Sequence, residues 1–214
     1  MLKYKMGMVK ICGITNLEDA VAAIECGANA LGFIFHPESP RSVDQDAAKK
    51  IIYELPPFVV TVGVFVNMKS SEVCKIASNT GLNIIQLHGS ESPEEYISCR
   101  KVIKAIRVKN ISDLQAISDY KAASAILLDT YSHNAIGGTG QTFNWDIAVK
   151  AKKFGRIILA GGLTPENVEE AVKTVRPYGI DVASGVEGNQ PGKKDHKKLK
   201  SFIERAQKAF LDHA

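Results

Sequence analysis

The sequence predicts a single-domain α/β protein that folds as an eight-stranded parallel (β/α)8 barrel. Short apolar runs alternate with segments whose apolar residues recur at helical spacing, and no linker or low-complexity stretch interrupts them. Eight such runs occur within 214 residues, and several of them end at a glycine or a small polar residue. Regular alternation of strand and helix is typical of a parallel sheet. Eight evenly spaced units favour a closed TIM barrel over an open doubly wound sheet, which is the alternative fold.

The predicted strands are short and rich in β-branched residues. The second of them, residues 30–35, is apolar on both faces, as expected for a parallel strand buried between the barrel interior and an outer layer of helices. The eight predicted strands cover residues 8–12, 30–35, 59–65, 84–87, 102–106, 125–128, 157–160 and 181–183.

A helix is predicted after each strand. Asn16 is a suitable N-cap for the first helix, and Gly27 marks its end. After the fourth strand, Ser92 followed by Pro93 is a signal for the start of a helix. The remaining predicted helices cover residues 44–55, 70–78, 112–118, 168–175 and 197–211, and one more begins near residue 144.

Composition and charge exclude several classes of function. The net charge of +4 comes largely from lysines near the C-terminus, which lack interleaved aromatic residues, so a solvated helix face is favoured over nucleic-acid binding. A mildly basic chain also suits an anionic small-molecule substrate. No apolar run approaches the ~20 residues that span a bilayer, and no signal-peptide pattern is present. We therefore expect no membrane partner and a cytoplasmic location.

The four cysteines show no metal-binding pattern. Their spacing contains no CxxC pair, so a structural zinc site and a disulfide framework are both disfavoured. Cys26, Cys74 and Cys99 fall in helix-like segments and are expected to be small buried hydrophobic residues. Cys12 differs from them because it ends the first predicted strand.

Two glycine turns near the C-terminal end form the most specific local pattern. Gly161-Gly162 follows the seventh strand and Ser184-Gly185 follows the eighth, so both turns lie at the carboxyl ends of neighbouring strands. Glycine lets backbone N–H groups approach a ligand, and a helix that starts just beyond adds positive potential. Either turn alone is better explained as an entry into a helix. Two turns in consecutive loops predict a phosphate-binding site.

Side chains at the ends of other strands are candidate reactive groups. Cys12 ends strand 1, Arg41 lies in the loop after strand 2, His88 follows strand 4 and Asp129 ends strand 6. A thiolate can act as a general base and a buried aspartic acid as a general acid, while arginine binds a planar carboxylate through two parallel hydrogen bonds. Each residue singly also has a structural explanation. Together at one rim they favour proton transfer on an anionic substrate, with His88 either contacting the substrate or orienting its loop.

A set of motifs runs in order through nearly the whole chain. They are Lys10-Ile-Cys-Gly-Ile-Thr15, Gly32-Phe-Ile-Phe35, Ser39-Pro-Arg-Ser42, Gly63-Val-Phe-Val-Asn67, Gln86-Leu-His-Gly89, Leu128-Asp129, Gly137-Gly-Thr-Gly140, Gly161-Gly-Leu-Thr-Pro-Glu-Asn-Val168, Ser184-Gly-Val-Glu187 and Pro191-Gly-Lys-Lys-Asp195. Together these motifs resemble those of the phosphoribosylanthranilate isomerase family. Residues 1–214 would then form one catalytic domain, with residues 1–7 as a short N-terminal extension.

The resemblance implies an activity and a role for each candidate residue. The implied reaction is the Amadori rearrangement of N-(5-phosphoribosyl)anthranilate to 1-(2-carboxyphenylamino)-1-deoxyribulose 5-phosphate, in tryptophan biosynthesis. By resemblance, Asp129 is the general acid that opens the furanose ring and Cys12 is the general base. Arg41 holds the anthranilate carboxylate, and the two glycine turns hold the phosphate. The family needs no cofactor and no metal.

Several alternatives remain open at this level. An aldolase would use a lysine at a strand end, but Lys10 and Lys104 precede the strand ends, so this class is disfavoured. A barrel that only binds a sugar phosphate is a second alternative. The segment Gly137–Gly140 is either a mobile lid or an ordinary loop. The oligomeric state, monomer or homodimer, is not decided by helix-face composition.

Overall fold

The computed structural model describes residues 7–130 and 144–212, and a closed barrel of eight parallel strands forms its centre. The strands are β1 Met8–Cys12, β2 Ala30–Ile34, β3 Val60–Phe65, β4 Ile84–Leu87, β5 Lys101–Val108, β6 Ala125–Thr130, β7 Ile157–Leu159 and β8 Gly179–Val182. Strand β8 pairs with β1 as well as with β7, which closes the barrel. The fold class predicted from the sequence is confirmed.

Within the described residues, six α-helices pack around the barrel. They are α1 Leu17–Glu25, α2 Gln45–Glu54, α3 Ser70–Thr80, α4 Trp145–Ala151, α5 Val168–Val175 and α6 His196–Leu211. The predicted cap is present, since the Asn16 side chain accepts a hydrogen bond from the Asp19 amide at 2.9 Å. Gly27 follows the end of α1 with φ of +100°, a conformation that favours glycine. The predicted helix segments after strands 1, 2 and 3 are thus confirmed.

The predicted helices after the fourth and fifth strands are wrong in type. The first is a single 3-10 turn, Pro93–Glu95, and the second is a 3-10 helix, Ile111–Asp119. After the first turn the chain is held by a tertiary contact, since the Tyr96 hydroxyl donates to the carbonyl of Met68 at 2.7 Å. In the second segment, the Ser118 hydroxyl donates to a backbone carbonyl three residues earlier, a contact that competes with α-helical hydrogen bonding.

Two further expectations need correction. The last strand begins earlier than predicted, at Gly179, and the chain after Val182 turns into a 3-10 turn, Ser184–Val186. Cys74 and Cys99 form a disulfide across 25 residues, with a Cα–Cα distance of 5.7 Å. The prediction of unpaired, buried cysteines is wrong for these two, because the chain after β4 returns to the side of α3, which sequence spacing does not reveal.

Two layers of apolar side chains hold the barrel together. Inside it, residues of β5 and β6, with Ile158 and Ala160, form a small apolar cluster. Ile84 and Tyr178 pack against this cluster. Outside it, the larger cluster packs the helices onto the strands, and α6 contributes Phe202 and Ile203, both fully buried. In residues 7–130 and 144–212, no helix combines the length and the apolar character required to cross a membrane. The predicted segment Gly137–Gly140 lies outside the described residues.

Candidate active site

A single cavity at the carboxyl ends of the strands brings together the residues predicted for the site. Strands β1, β2, β3, β4, β6 and β8 contribute to its lining, together with the loops that follow β2, β7 and β8. The predicted residues that line it are Cys12, Arg41, His88, Asp129, Gly161, Gly162, Ser184 and Gly185. Parallel strands carry their C-terminal loops at one end of a barrel, which explains why residues far apart in sequence meet there.

Cys12 lies on the floor of this cavity and is 6% exposed. Burial raises the pKa of its thiol, and the ammonium groups of Lys10 and Lys194 oppose that shift. Both lysines are themselves buried. These two cations favour the ionised form of the sulfur. Burial nevertheless has the larger effect, so the pKa of the thiol lies above its ordinary value.

Asp129 is buried at the end of β6 and faces the same cavity. Its Oδ2 atom lies 3.3 Å from Nε2 of His88, at the end of β4. Within the described residues, Nε2 of His88 makes no hydrogen bond, so this nitrogen can serve either the Asp129 carboxyl group or a ligand. The contact places the carboxyl group beside the loop after β4.

Arg41 lines the cavity but is already held by a carboxylate of the protein. Its Nε and Nη2 atoms donate to the two carboxylate oxygens of Glu187, both at 2.8 Å. This is a two-bond arrangement of arginine with carboxylate. The edge of the guanidinium formed by Nε and Nη2 therefore binds Glu187. A ligand carboxylate would have to approach the edge formed by the two Nη atoms.

Lys194 connects Glu187 to the two strands that carry the site. Its Nζ atom donates to the carbonyl of Cys12 at 2.7 Å, to the carbonyl of Ala183 at 3.1 Å and to Glu187 at 3.1 Å. The ends of β1 and β8 are thereby joined by one buried cation. Sequence reasoning missed this role, although Lys194 and Glu187 both lie in motifs that carry the family resemblance.

The acid dependence of stability should depend on this carboxylate. Burial would raise the pKa of Glu187, but hydrogen bonds from Arg41 and the charge of Lys194 hold it below its ordinary value. A carboxyl group whose pKa is lower in the folded state stabilises the fold above its unfolded pKa of about 4.3. That stabilisation is lost as the pH falls through the folded pKa. Breaking a buried pair costs about 3–5 kcal/mol. We expect Glu187→Gln to lose this much stability at neutral pH and much less once the pH has fallen below the lowered pKa that Glu187 has in the folded protein.

Urea denaturation across the pH range measures this effect. The matched control is Glu169→Gln, which removes an exposed pair with Lys173 on α5. Screening makes surface pairs weak contributors, so the control should change the free energy of unfolding little at any pH. Equal losses in the two variants, or a loss at Glu187 that does not diminish in acid, would contradict the prediction.

The two glycine turns have the close backbone approach expected of an anion site. Gly161 and Gly162 have φ of +79° and +66°, which favours glycine at both positions. The Asn167 side chain fixes this turn, since it accepts from the amide of Thr164 and donates to the carbonyl of Gly162, both at 2.9 Å. The second turn packs against the first, since a Cβ atom at Gly185 would overlap the carbonyl oxygen of Leu163.

This close packing predicts a specific cost for a methyl group. Gly185→Ala should lower the free energy of unfolding by about 1–3 kcal/mol, because the carbonyl of Leu163 must move. It should also weaken binding of phosphorylated ligands at the same turn. Gly188→Ala is the control, because a Cβ atom there meets no atom within 4 Å. Urea denaturation that finds the two variants equally stable would contradict this account of the turn.

Polar residues on the cavity wall escaped the sequence prediction. Gln86 and Asp181 line the cavity, and each has a buried side-chain oxygen with no hydrogen-bond partner in the described part of the chain. Inward positions alternate along a strand, and this signal, applied to β4 and β8, would have identified both. No group of three or more His, Cys, Asp or Glu residues within 7–130 and 144–212 is arranged to hold a metal ion.

Comparison with known proteins gives a consistent result along the chain. Residues 9–205 match the family described as N-(5'phosphoribosyl)anthranilate (PRA) isomerase. A protein of Geobacter sulfurreducens named N-(5'-phosphoribosyl)anthranilate isomerase is 57% identical over 202 residues, which cover 94% of this chain and 98% of the relative.

Two solved structures are similar in fold and sequence. The phosphoribosyl anthranilate isomerase of Thermotoga maritima has a TM-score of 0.89 and 44% identity, covering 95% of this chain and all of that one. A phosphoribosyl anthranilate isomerase in complex with reduced 1-(o-carboxyphenylamino)-1-deoxyribulose 5-phosphate has a TM-score of 0.86 and 43% identity, with the same coverage. The chain therefore belongs to the phosphoribosylanthranilate isomerase family.

Proposed function

We propose that this protein converts N-(5-phosphoribosyl)anthranilate to 1-(2-carboxyphenylamino)-1-deoxyribulose 5-phosphate, in the cytoplasm, with Asp129 as general acid and Cys12 as general base. The observation that carries the proposal is that both groups are buried in one cavity, which also contains two glycine turns and an arginine. Such a cavity suits a substrate with a phosphate at one end and a carboxylate at the other. The relative that was crystallised with a reduced form of this product supports the choice of substrate.

Binding is assigned to the two ends of the cavity. Backbone amides around Gly161-Gly162 and Ser184-Gly185 would hold the phosphate, since glycine leaves them accessible. Arg41 would contact the anthranilate carboxylate through its Nη edge, because Glu187 occupies the other edge. The unpaired oxygens of Gln86 and Asp181 would accept hydrogen bonds from sugar hydroxyl groups.

The first chemical step is opening of the ribose ring. Asp129 donates its proton to the ring oxygen, the C1–O bond breaks, and the anthranilate nitrogen supplies the electron pair that forms an iminium ion. Asp129 must be protonated for this step, and the neighbouring His88, 3.3 Å away, would orient the carboxyl group. A positioned acid contributes about 10²–10⁴-fold to such a step.

The second step is loss of the proton on C2. The Cys12 thiolate takes this proton, and the C–H electron pair forms the C1=C2 bond of an enolamine while the nitrogen becomes neutral. The enolamine then gains a proton at C1 and loses the hydroxyl proton at C2, which gives the ketone. Every proton is exchanged between substrate, Asp129, Cys12 and solvent, so the net reaction is an isomerisation.

The test is a direct assay with freshly generated N-(5-phosphoribosyl)anthranilate. Purified protein is expected to remove the anthranilate-type fluorescence of the substrate without any added cofactor, and the product is identified by mass spectrometry and by its ketone. A folded protein that binds the substrate without turning it over would refute the catalytic proposal. It would favour a sugar-phosphate binder instead.

A further inference from the structure

A buried lysine and a buried aspartate lie beside Cys12 and have no part in the proposed chemical steps. Lys10 is 5% exposed and Asp181 is 6% exposed. Their Nζ and Oδ2 atoms are 2.8 Å apart, and the two residues are register partners on β1 and β8. Burying two charges is costly even when they pair, so a buried pair is weak evidence for a purely stabilising role.

The position of Lys10 points to the cysteine as its target. Lys10 and Cys12 are two residues apart on β1, so their side chains lie on the same face of the strand. Gly32 is the register partner of Cys12 on β2. A Cβ atom at Gly32 would lie 2.7 Å from Sγ of Cys12 and 3.0 Å from Nζ of Lys10. The sulfur and the ammonium group therefore both border the space that the absent side chain leaves.

The charges around Cys12 come from three elements. Lys10 on β1 and Asp181 on β8 face it from the barrel interior, and Lys194 approaches from the segment before α6. Arg41 packs over the adjacent Gly13. The Nζ atom of Lys194 already donates to two carbonyls and to a carboxylate. Lys10 is thus the cation whose position suits the sulfur itself.

Lys10 is also held in its charged form. Burial alone would lower the pKa of its ammonium group, but the charges of Asp181 and Cys12 raise it above the ordinary value. For Cys12, burial raises the pKa of the thiol, Lys10 lowers it and Asp181 raises it. The lysine and the aspartate therefore have opposite effects on the same sulfur.

We propose that Lys10 is the positioning residue of the general base: held by Asp181, its ammonium group faces the Cys12 sulfur through the gap at Gly32 and stabilises the thiolate that takes the substrate proton. This inference deepens the proposed function and rests on Cys12 acting as the base. Lys10 itself transfers no proton in the reaction.

The test measures ionisation of Cys12 without substrate. Iodoacetamide alkylates the protein over a range of pH, and peptide mass spectrometry follows the Cys12 peptide alone, which reagent reaches through the cavity. An opposite charge at this range shifts a titration by about one to three pH units. Lys10→Met should raise the midpoint by this amount. Asp181→Asn should lower it, because the opposing carboxylate is gone.

A control separates this effect from general loss of stability. Lys104→Met removes another buried lysine, paired with Glu91 at 3.2 Å, and should leave the midpoint of Cys12 unchanged even if the fold is weakened. Unchanged midpoints in both Lys10→Met and Asp181→Asn would overturn the proposal. If Lys10→Met does not fold, Asp181→Asn decides alone, since a midpoint that does not fall refutes the charge arrangement.

Enzyme kinetics distinguish this inference from the proposed function. Lys10→Met should lower kcat at neutral pH about tenfold for each unit of midpoint shift, with recovery as the pH rises. If Lys10 had only a structural role, the activity of Lys10→Met would not recover as the pH rises. Shifted midpoints in a protein with no isomerase activity would refute the proposed function and leave the Lys10–Cys12 contact standing. Unshifted midpoints in an active enzyme would refute the Lys10–Cys12 contact and leave the proposed function standing.

Discussion

Cys12→Ser is expected to lower kcat for isomerisation by about 10²–10⁴-fold, the usual contribution of a positioned acid or base. A serine hydroxyl has nearly the same shape as the thiol but does not ionise near neutral pH, so no base remains to take the C2 proton. The effect should fall on kcat far more than on KM, because the groups assigned to the phosphate and the carboxylate are untouched.

Cys26→Ser is the matched control for this substitution. Cys26 is the other unpaired cysteine in the described residues, and it lies half-buried at the end of α1, away from the cavity lining. The control should retain wild-type kcat and KM. Steady-state fluorescence assays on both variants, with circular dichroism to check folding, measure the difference. A Cys12→Ser enzyme within tenfold of wild type would remove the cysteine from the reaction.

Asp129→Asn is expected to lower kcat by a similar factor of about 10²–10⁴. The amide keeps the size of the side chain but cannot give up a proton to the ring oxygen, so ring opening loses its acid. Since the furanose must open before C2 can lose its proton, the substrate should accumulate unopened. An assay with a substrate that is already open would distinguish the two steps, because the Asp129→Asn variant should process it faster than the closed form.

Two further variants test the prediction for Asp129→Asn. Asp46→Asn changes an exposed aspartate in the first turn of α2 and should leave kcat unchanged. His88→Asn removes the imidazole beside Asp129 and should reduce kcat less than Asp129→Asn, since it affects only the orientation of the acid. If His88→Asn caused the larger loss and Asp129→Asn the smaller one, the imidazole would be the acid instead.

Much of the fold follows from local pattern. Alternating apolar runs and helical periods predict the barrel because a parallel strand buried on both faces is expected to be apolar throughout, and β2 satisfies this requirement. The positions of Cys12 and Asp129 at the rim follow in turn, since each ends a strand. These properties depend on neighbours in sequence, so one sequence is sufficient to predict them.

Local sequence pattern does not predict the structure of segments that long-range contacts determine. Pro93 begins the segment after β4 and Asn110 caps the segment after β5, yet both segments are 3-10 helices and not α-helices. The Cys74–Cys99 disulfide depends on where the chain returns after β4, and no spacing rule encodes that return.

The candidate reactive residues can thus be predicted from the sequence, whereas their environments cannot. Sequence order brings Cys12, Asp129 and the glycine turns to one rim, because a barrel places the C-terminal ends of its strands together. Only folding brings Lys10, Asp181 and Lys194 around one sulfur, from positions as much as 182 residues apart. The ionisation of a buried group depends on distance and burial in three dimensions, and these quantities have no counterpart in the linear sequence.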